Sequence, residues 1–247
     1  MNAVNLFCLP FAGGSKFSYR KYEEIAPPHI NLIPIEYPGR GTRTRSPLIT
    51  DVNLLTQDIY SQIEHLLNMG RYAIYGHSLG GLLGYLLAME IVRRGQTPPV
   101  HLFITGTMGP SAPARELKKR HLLEKEDFIE ELKCLNGCPK EILEDDDLLE
   151  YFEPILRADF EASETYKYEE APPLKIPITV ITGTDEEMNI NDIGLWQKES
   201  ALPVDFRRMK GKHFFILDHS NEIVDIISKK LLYNLKLQFY ERDQDVS

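Results

Sequence analysis

The chain has 247 residues, enough for one large domain and a substantial buried core without staples. Hydrophobic residues make up 43% and charged residues 26%, which excludes the disordered and fibrous classes. A net charge of −9 excludes a domain-wide basic footprint for nucleic acid.

Val4–Leu9 is a short apolar run stopped by Pro10, as expected of a buried strand. Phe11-Ala-Gly-Gly-Ser15 follows as a glycine loop, then a helix over 16–25 stopped by Pro27-Pro28. Residues 31–36 predict the next strand, and Pro38-Gly39-Arg40-Gly41 a turn-rich loop. Apolar residues recur at helical spacing over 51–68, with Asp51 available as cap. A strand over 71–75, a helix over 82–94 closed by Gly95 and a strand over 101–106 complete the first half. Helical signals then dominate about 115–170, with no convincing strand. Its charged stretch 141–150 carries interleaved isoleucine and leucines, as a solvated helix face does. Strands are predicted at 178–182 and 204–209, and a last helix at 221–240. Strand–helix alternation predicts an α/β fold with a mostly parallel sheet between helices. The expected organisation is a single domain over 1–247 with a helical insertion at about 115–170, returning to the sheet near Pro172-Pro173.

Three cysteines are too few for a disulfide framework. Cys8 reads as a buried thiol, and Cys134 and Cys138 lack a second ligand pair for zinc. No basic n-region precedes the first apolar run, and no window approaches a membrane span. The expectation is a soluble, reduced, cytoplasmic protein without membrane association.

Gly76-His77-Ser78-Leu79-Gly80 fits G-x-S-x-G. The pattern alone is weak; its setting between a strand and an apolar helix makes it specific, because that is where a nucleophile elbow sits. Glycines let strand and helix pass close while the serine occupies a strained turn. Ser78 is therefore the candidate nucleophile, and it needs a base. With an elbow the chain order is Ser, then Asp or Glu, then His. Of seven histidines, His101, His121, His213 and His219 follow Ser78. His101 opens a strand, His121 lies in the insertion, and His219 falls in or beside a helix. His77 is expected to point away from the site. His213 lies in Gly211-Lys212-His213-Phe214-Phe215, just past the last strand, where α/β sheets carry their sites. It is the candidate base. Asp185 is the first carboxylate beyond the 178–182 strand and the candidate acid. Glu186, Glu187, Asp192 and Asp159 are its rivals. The oxyanion donors expected are the N–H of Leu79 and that of Phe11 or Ala12.

These segments together resemble the type II thioesterases that accompany nonribosomal peptide and polyketide synthases. Leu9-Pro-Phe-Ala-Gly-Gly-Ser15, Tyr37-Pro-Gly-Arg-Gly41, the Gly76–Gly81 elbow, Leu156-Arg-Ala-Asp-Phe160 with Glu164-Thr-Tyr166, and the His213 loop match in order across nearly the whole chain. The resemblance implies an α/β-hydrolase fold with a helical lid. It also implies hydrolysis of acyl groups from the phosphopantetheine arm of carrier proteins, which edits stalled synthases. It assigns Ser78, Asp185 and His213 as triad and Phe11 and Leu79 as oxyanion donors. Thr184-Asp185-Glu186-Glu187 departs from the family's usual acid segment, which leaves the choice of carboxylate open. No metal or other cofactor is implied, and a monomer with transient carrier partners is expected. Arg40, Arg43, Arg45 and Lys118-Lys119-Arg120 are candidate docking cations. A small carboxylesterase or lipase of the same fold, with the same triad, is the alternative.

Overall fold

The computed structural model describes residues 3–135, 143 and 145–244, of which 234–244 as backbone alone. Cys138 and residues 141, 142 and 144 of the charged 141–150 stretch lie outside the described residues. Six strands, β1 (Val4–Leu9), β2 (Ile30–Pro34), β3 (Tyr72–His77), β4 (Leu102–Thr105), β5 (Ile178–Gly183) and β6 (Asp205–Met209), form one sheet in the order β2-β1-β3-β4-β5-β6. Every pairing is parallel. β3, β4 and β5 are buried along their whole length, which is why they read as apolar runs rather than alternating ones. β6 is an edge strand, and its exposed Arg207 and Arg208 discourage pairing with another chain.

Helices cover both faces. On one face α2 (Val52–Ile63) and α3 (Leu79–Arg93) bury Leu55, Ile59, Leu83 and Leu87 against Phe7, Ile74 and Ile104. On the other, α1 (Arg20–Ile25) and the long C-terminal helix α8 (Ser220–Gln244) pack Tyr22, Ile223 and Ile227 against Leu6, Ala73 and Phe103. The insertion holds α4 (Lys125–Leu135) and α5 (Asp146–Glu164). Phe128, Leu132, Leu156 and Phe160 give it a small apolar core of its own. Two short helices, α6 (Ile190–Gly194) and α7 (Phe215–Asp218), follow β5 and β6. This is the α/β fold expected from the alternation.

Some boundaries differ from expectation for local reasons. The 16–25 segment opens as a 3₁₀ turn over Lys16–Tyr19, where Ser15 Oγ accepts from the Phe17 N–H, and becomes α-helical only at Arg20. α3 begins at Leu79 rather than at 82. Gly80 and Gly81 read as loop residues by propensity, yet they form the helix's first turn, where a Cβ on Gly80 would strike the Leu9 carbonyl and one on Gly81 the side-chain methyls of Thr107 and Ile104.

The strand order reverses at β1: the chain leaves it for β2 on one side and returns through β3 on the other. The loops after β1 and β3 therefore flank the crevice at the carboxyl ends of the strands, where such sheets bind ligands. Phe11–Gly14 leaves one strand end and Ser78 the next, and Leu9 is in register with Gly76.

Candidate active site

Ser78 is the single non-glycine residue with positive φ among the described residues (φ 55°, ψ −115°). Such strain persists only where the surroundings enforce it. A Cβ on Gly76 would lie 2.0 Å from the Gly80 carbonyl oxygen, and one on Gly80 would lie 2.1 Å from the Leu9 oxygen. The elbow's glycines are thus required by backbone packed on backbone. Ser78 is held at the mouth of the crevice by its own N–H, which donates to Thr105 O at 2.9 Å.

His213 sits in the loop after β6, with Nε2 3.0 Å from Ser78 Oγ. Its Nδ1 lies 2.7 Å from Glu186 Oε1. With the proton on Nδ1, the imidazole donates to Glu186 and accepts from the Ser78 hydroxyl, the arrangement a general base requires. The geometry brings Ser78 and His213 together and places Glu186, not the expected Asp185, against the imidazole. Asp185 is exposed, its Oδ1 accepting from the Thr184 hydroxyl at 2.9 Å. Its backbone N–H donates to Gly211 O at 2.9 Å, which fixes residue 185 at the rim. The next side chain turns inward instead. Glu186 folds back over side-chain-less Gly183, whose N–H donates to Oε2, and its carboxylate is almost fully buried. Glu187 and Asp192 make no contact with His213 among the described residues, and Asp159 is engaged elsewhere.

Aromatic rings pack the base from below. His77 is buried with its ring centroid 4.9 Å from that of His213, and its Nδ1 is 3.0 Å from Thr105 Oγ1. Burial, reinforced by the neighbouring His213, pushes the His77 pKa well below the usual histidine range, so His77 stays neutral. Phe214 and Phe11 meet edge to face at 4.9 Å beside it.

The oxyanion loop is held by its own polar groups. Tyr37 O–H donates to Pro10 O at 2.9 Å, and the Gly14 N–H to Phe11 O at 2.8 Å. The N–H groups of Phe11, Ala12 and Leu79 have no acceptor among the described residues. Phe11, Ala12, Ser78 and His213 line a cavity of about 280 Å³. Its far wall is the lid, through Leu132, Leu135, Phe152, Leu156 and Phe160.

Of the expected docking cations, Arg45, Lys118 and Lys119 are exposed, whereas Arg40, Arg43 and Arg120 are buried or half-buried in ion pairs. Arg40 is buried, 4% exposed, against Asp159. Arg43 forks onto Asp58, Arg120 bonds Glu131 and Glu164, and Lys118 pairs with Glu131. In the sequence an isolated arginine in a Pro-Gly-Arg-Gly turn reads as exposed, because its partner stands 119 residues away. No cluster of three or more metal-ligating side chains occurs among the described residues, and no helix there is long and apolar enough to cross a membrane.

A serine elbow after the third strand, with an imidazole and a carboxylate on the loops after the last two, is the arrangement of a hydrolase of the α/β-hydrolase fold. The chain belongs to the thioesterase family, whose Thioesterase domain model matches residues 4–231. It is 33% identical to the thioesterase PikA5 of Streptomyces venezuelae over 233 residues, 94% of this chain and 82% of that protein. Among solved structures, ClbQ from the colibactin NRPS/PKS pathway superposes with a TM-score of 0.88 at 29% identity, covering 96% of this chain and all of that one. The type II thioesterase BorB from the borrelidin biosynthetic cluster gives a TM-score of 0.84 at 30% identity, covering 93% of each chain. The resemblance carried by the motifs therefore holds over most of the chain.

Proposed function

We propose that this chain is a type II thioesterase that hydrolyses acyl or aminoacyl thioesters from the phosphopantetheine arm of carrier proteins, clearing misprimed or stalled synthases in the cytoplasm. The observation that carries the reading is Ser78 Oγ, 3.0 Å from the His213 imidazole, opening into a lidded apolar cavity. Similarity to proteins of peptide and polyketide pathways supports the substrate class.

In the proposed cycle Ser78 Oγ attacks the thioester carbonyl as His213 Nε2 takes its proton. Glu186 orients the ring and stabilises the imidazolium. The N–H groups of Leu79 and of Phe11 or Ala12 receive the developing oxyanion, each worth roughly 3–4 kcal/mol in the transition state. Collapse breaks the C–S bond, and the arm leaves as a thiol carrying the proton from His213. Water then loses a proton to His213 and attacks the acyl-Ser78 ester; collapse breaks the C–Oγ bond, His213 returns the proton to Ser78 Oγ, and the free acid departs. Serine, imidazole, carboxylate and backbone amides supply every group the route uses, so it calls on no cofactor. The lid side chains would receive the acyl chain.

The test is hydrolysis of an acyl-loaded carrier protein beside a simple oxygen ester, for wild type and Ser78→Ala. Rapid carrier deacylation, abolished by the substitution, supports the proposal. Ester cleavage with an untouched carrier would favour the carboxylesterase alternative.

A further inference from the structure

The lid helix α5 sends one carboxylate into the core, and it lands on the oxyanion loop. Asp159 is 1% exposed. Its Oδ2 accepts from the Gly13 N–H at 2.7 Å and from Arg40 Nη1 at 2.5 Å, while Oδ1 accepts from Arg40 Nη2 at 2.7 Å. Arg40 in turn donates through Nη1 to Gly14 O at 3.2 Å and through Nε to Pro38 O at 3.4 Å. Carboxylate and guanidinium thus grip the Gly13–Gly14 segment by its N–H and its carbonyl. Leu156, one turn earlier on α5, presses on Gly13, where a Cβ would lie 2.4 Å from its Cδ2.

A buried ion pair is a poor source of stability, because desolvating both charges offsets most of their attraction. What this pair does is allocate donors. Residues 11–14 offer four N–H groups. Asp159 takes that of Gly13, Phe11 O takes that of Gly14, and those of Phe11 and Ala12 remain without an acceptor among the described residues. A loop released from Asp159 would have its Gly13 N–H and Gly14 carbonyl free to turn, and the donors for the oxyanion would no longer be held in place.

We propose that Asp159, braced by Arg40, is a positioning residue that sets the oxyanion loop, so that seating the lid helix and assembling the oxyanion hole are one event. The inference rests on the acyl-Ser78 reading above. It assigns Asp159 a role other than triad acid, and Arg40 one other than carrier docking.

The experiment compares wild type, Asp159→Asn, Arg40→Lys and the neutral pair Arg40→Met/Asp159→Leu. Rates use a small acyl thioester and are normalised to Ser78 titrated with a fluorophosphonate. Affinity is measured for an acyl trifluoromethyl ketone, whose tetrahedral adduct on Ser78 needs the oxyanion hole, and for the matching thioether, which does not. Loss of an oxyanion donor costs ~10²–10³ in rate, so at least a tenfold fall in kcat is expected for Asp159→Asn, with KM within about threefold. Ketone affinity should fall in parallel and thioether affinity should hold. The neutral pair removes the buried charges while keeping apolar bulk, and it should keep the catalytic defect at near-normal melting temperature. Arg40→Lys should lie between, because an ammonium cannot make the fork. A folded Asp159→Asn or neutral-pair variant with wild-type kcat and ketone affinity would overturn the proposal, as would a loss confined to KM. If Asp159→Asn does not fold, the neutral pair decides. Wild type that never reacts with the ketone would sink the acyl-Ser78 reading itself, a separate failure.

Discussion

The choice between adjacent carboxylates belongs to the residue scale. Glu186 touches His213 Nδ1 at 2.7 Å, whereas Asp185 is exposed and bonded to its own neighbour. Converting the orienting acid to its amide costs a serine–histidine site up to ~10⁴ in kcat by favouring the wrong tautomer. Glu186→Gln is therefore expected to lower kcat by about 10³–10⁴, while Asp185→Asn changes it less than about threefold, as steady-state kinetics on a small thioester would show. Equal losses in both, or loss in Asp185→Asn alone, would contradict the geometry. Ser78 and His213 were legible in the sequence because each has a distinctive setting, an elbow and a glycine loop after a strand. The acid was not. Three consecutive carboxylates share one loop, and the one that turns inward follows a residue whose N–H is bonded to Gly211 O, a contact between distant segments.

At the scale of elements, the elbow and the lid behave differently. In the elbow, strand and helix backbones touch, so Gly76→Ala should cost on the order of 3 kcal/mol or more, the upper end of overpacking. Gly95 closes α3 with φ +66° and open space around it, so Gly95→Ala should cost only about 1–2 kcal/mol of backbone strain. Urea unfolding of the two variants checks the contrast. The lid rests on four buried apolar side chains, including Phe128 at 0% exposure. Phe128→Ala removes a core aromatic worth roughly 3–5 kcal/mol. Hydrogen exchange should then rise across 125–135 and 146–164 first, with the sheet protected, because the lid has its own core. Uniform loss of protection would mean that lid and sheet form one cooperative unit. Helical periodicity disclosed the lid as a block. Its Arg40–Asp159 tie was illegible, since spacing along a helix says nothing about a loop more than a hundred residues earlier.

Across the whole molecule, two buried histidines link stability to pH. Burial lowers His101 to about 3, with the nearby Lys230 charge adding to the shift, and pushes His77 well below its ordinary 6.5. The unfolded chain protonates both below about 6.5 while the folded one keeps them neutral, so unfolding takes up protons as pH falls. Their contribution is complete above pH 6.5 and is lost on acidification, by about 1.4 kcal/mol per pH unit for each group. Urea unfolding at pH 7, 6 and 5 should show this decline, and His101→Gln should remove about half of the slope. A slope unchanged by that substitution would mean His101 titrates alike in both states. The alternation of strands and helices made the parallel sheet legible from its apolar runs. The strand order that sets Phe11 beside Ser78 is a long-range pairing, and it needed the structure.

In the proposed cycle a carrier-bound thioester passes its acyl group to Ser78. The most direct measurement is rapid quench of enzyme mixed with stoichiometric acyl-phosphopantetheinyl carrier protein, followed by intact and peptide mass analysis of both proteins. Free thiol on the carrier, a transient acyl adduct on the Ser78 peptide and no adduct in Ser78→Ala are expected. A carrier that keeps its acyl group, or an adduct at any other residue, would contradict that cycle.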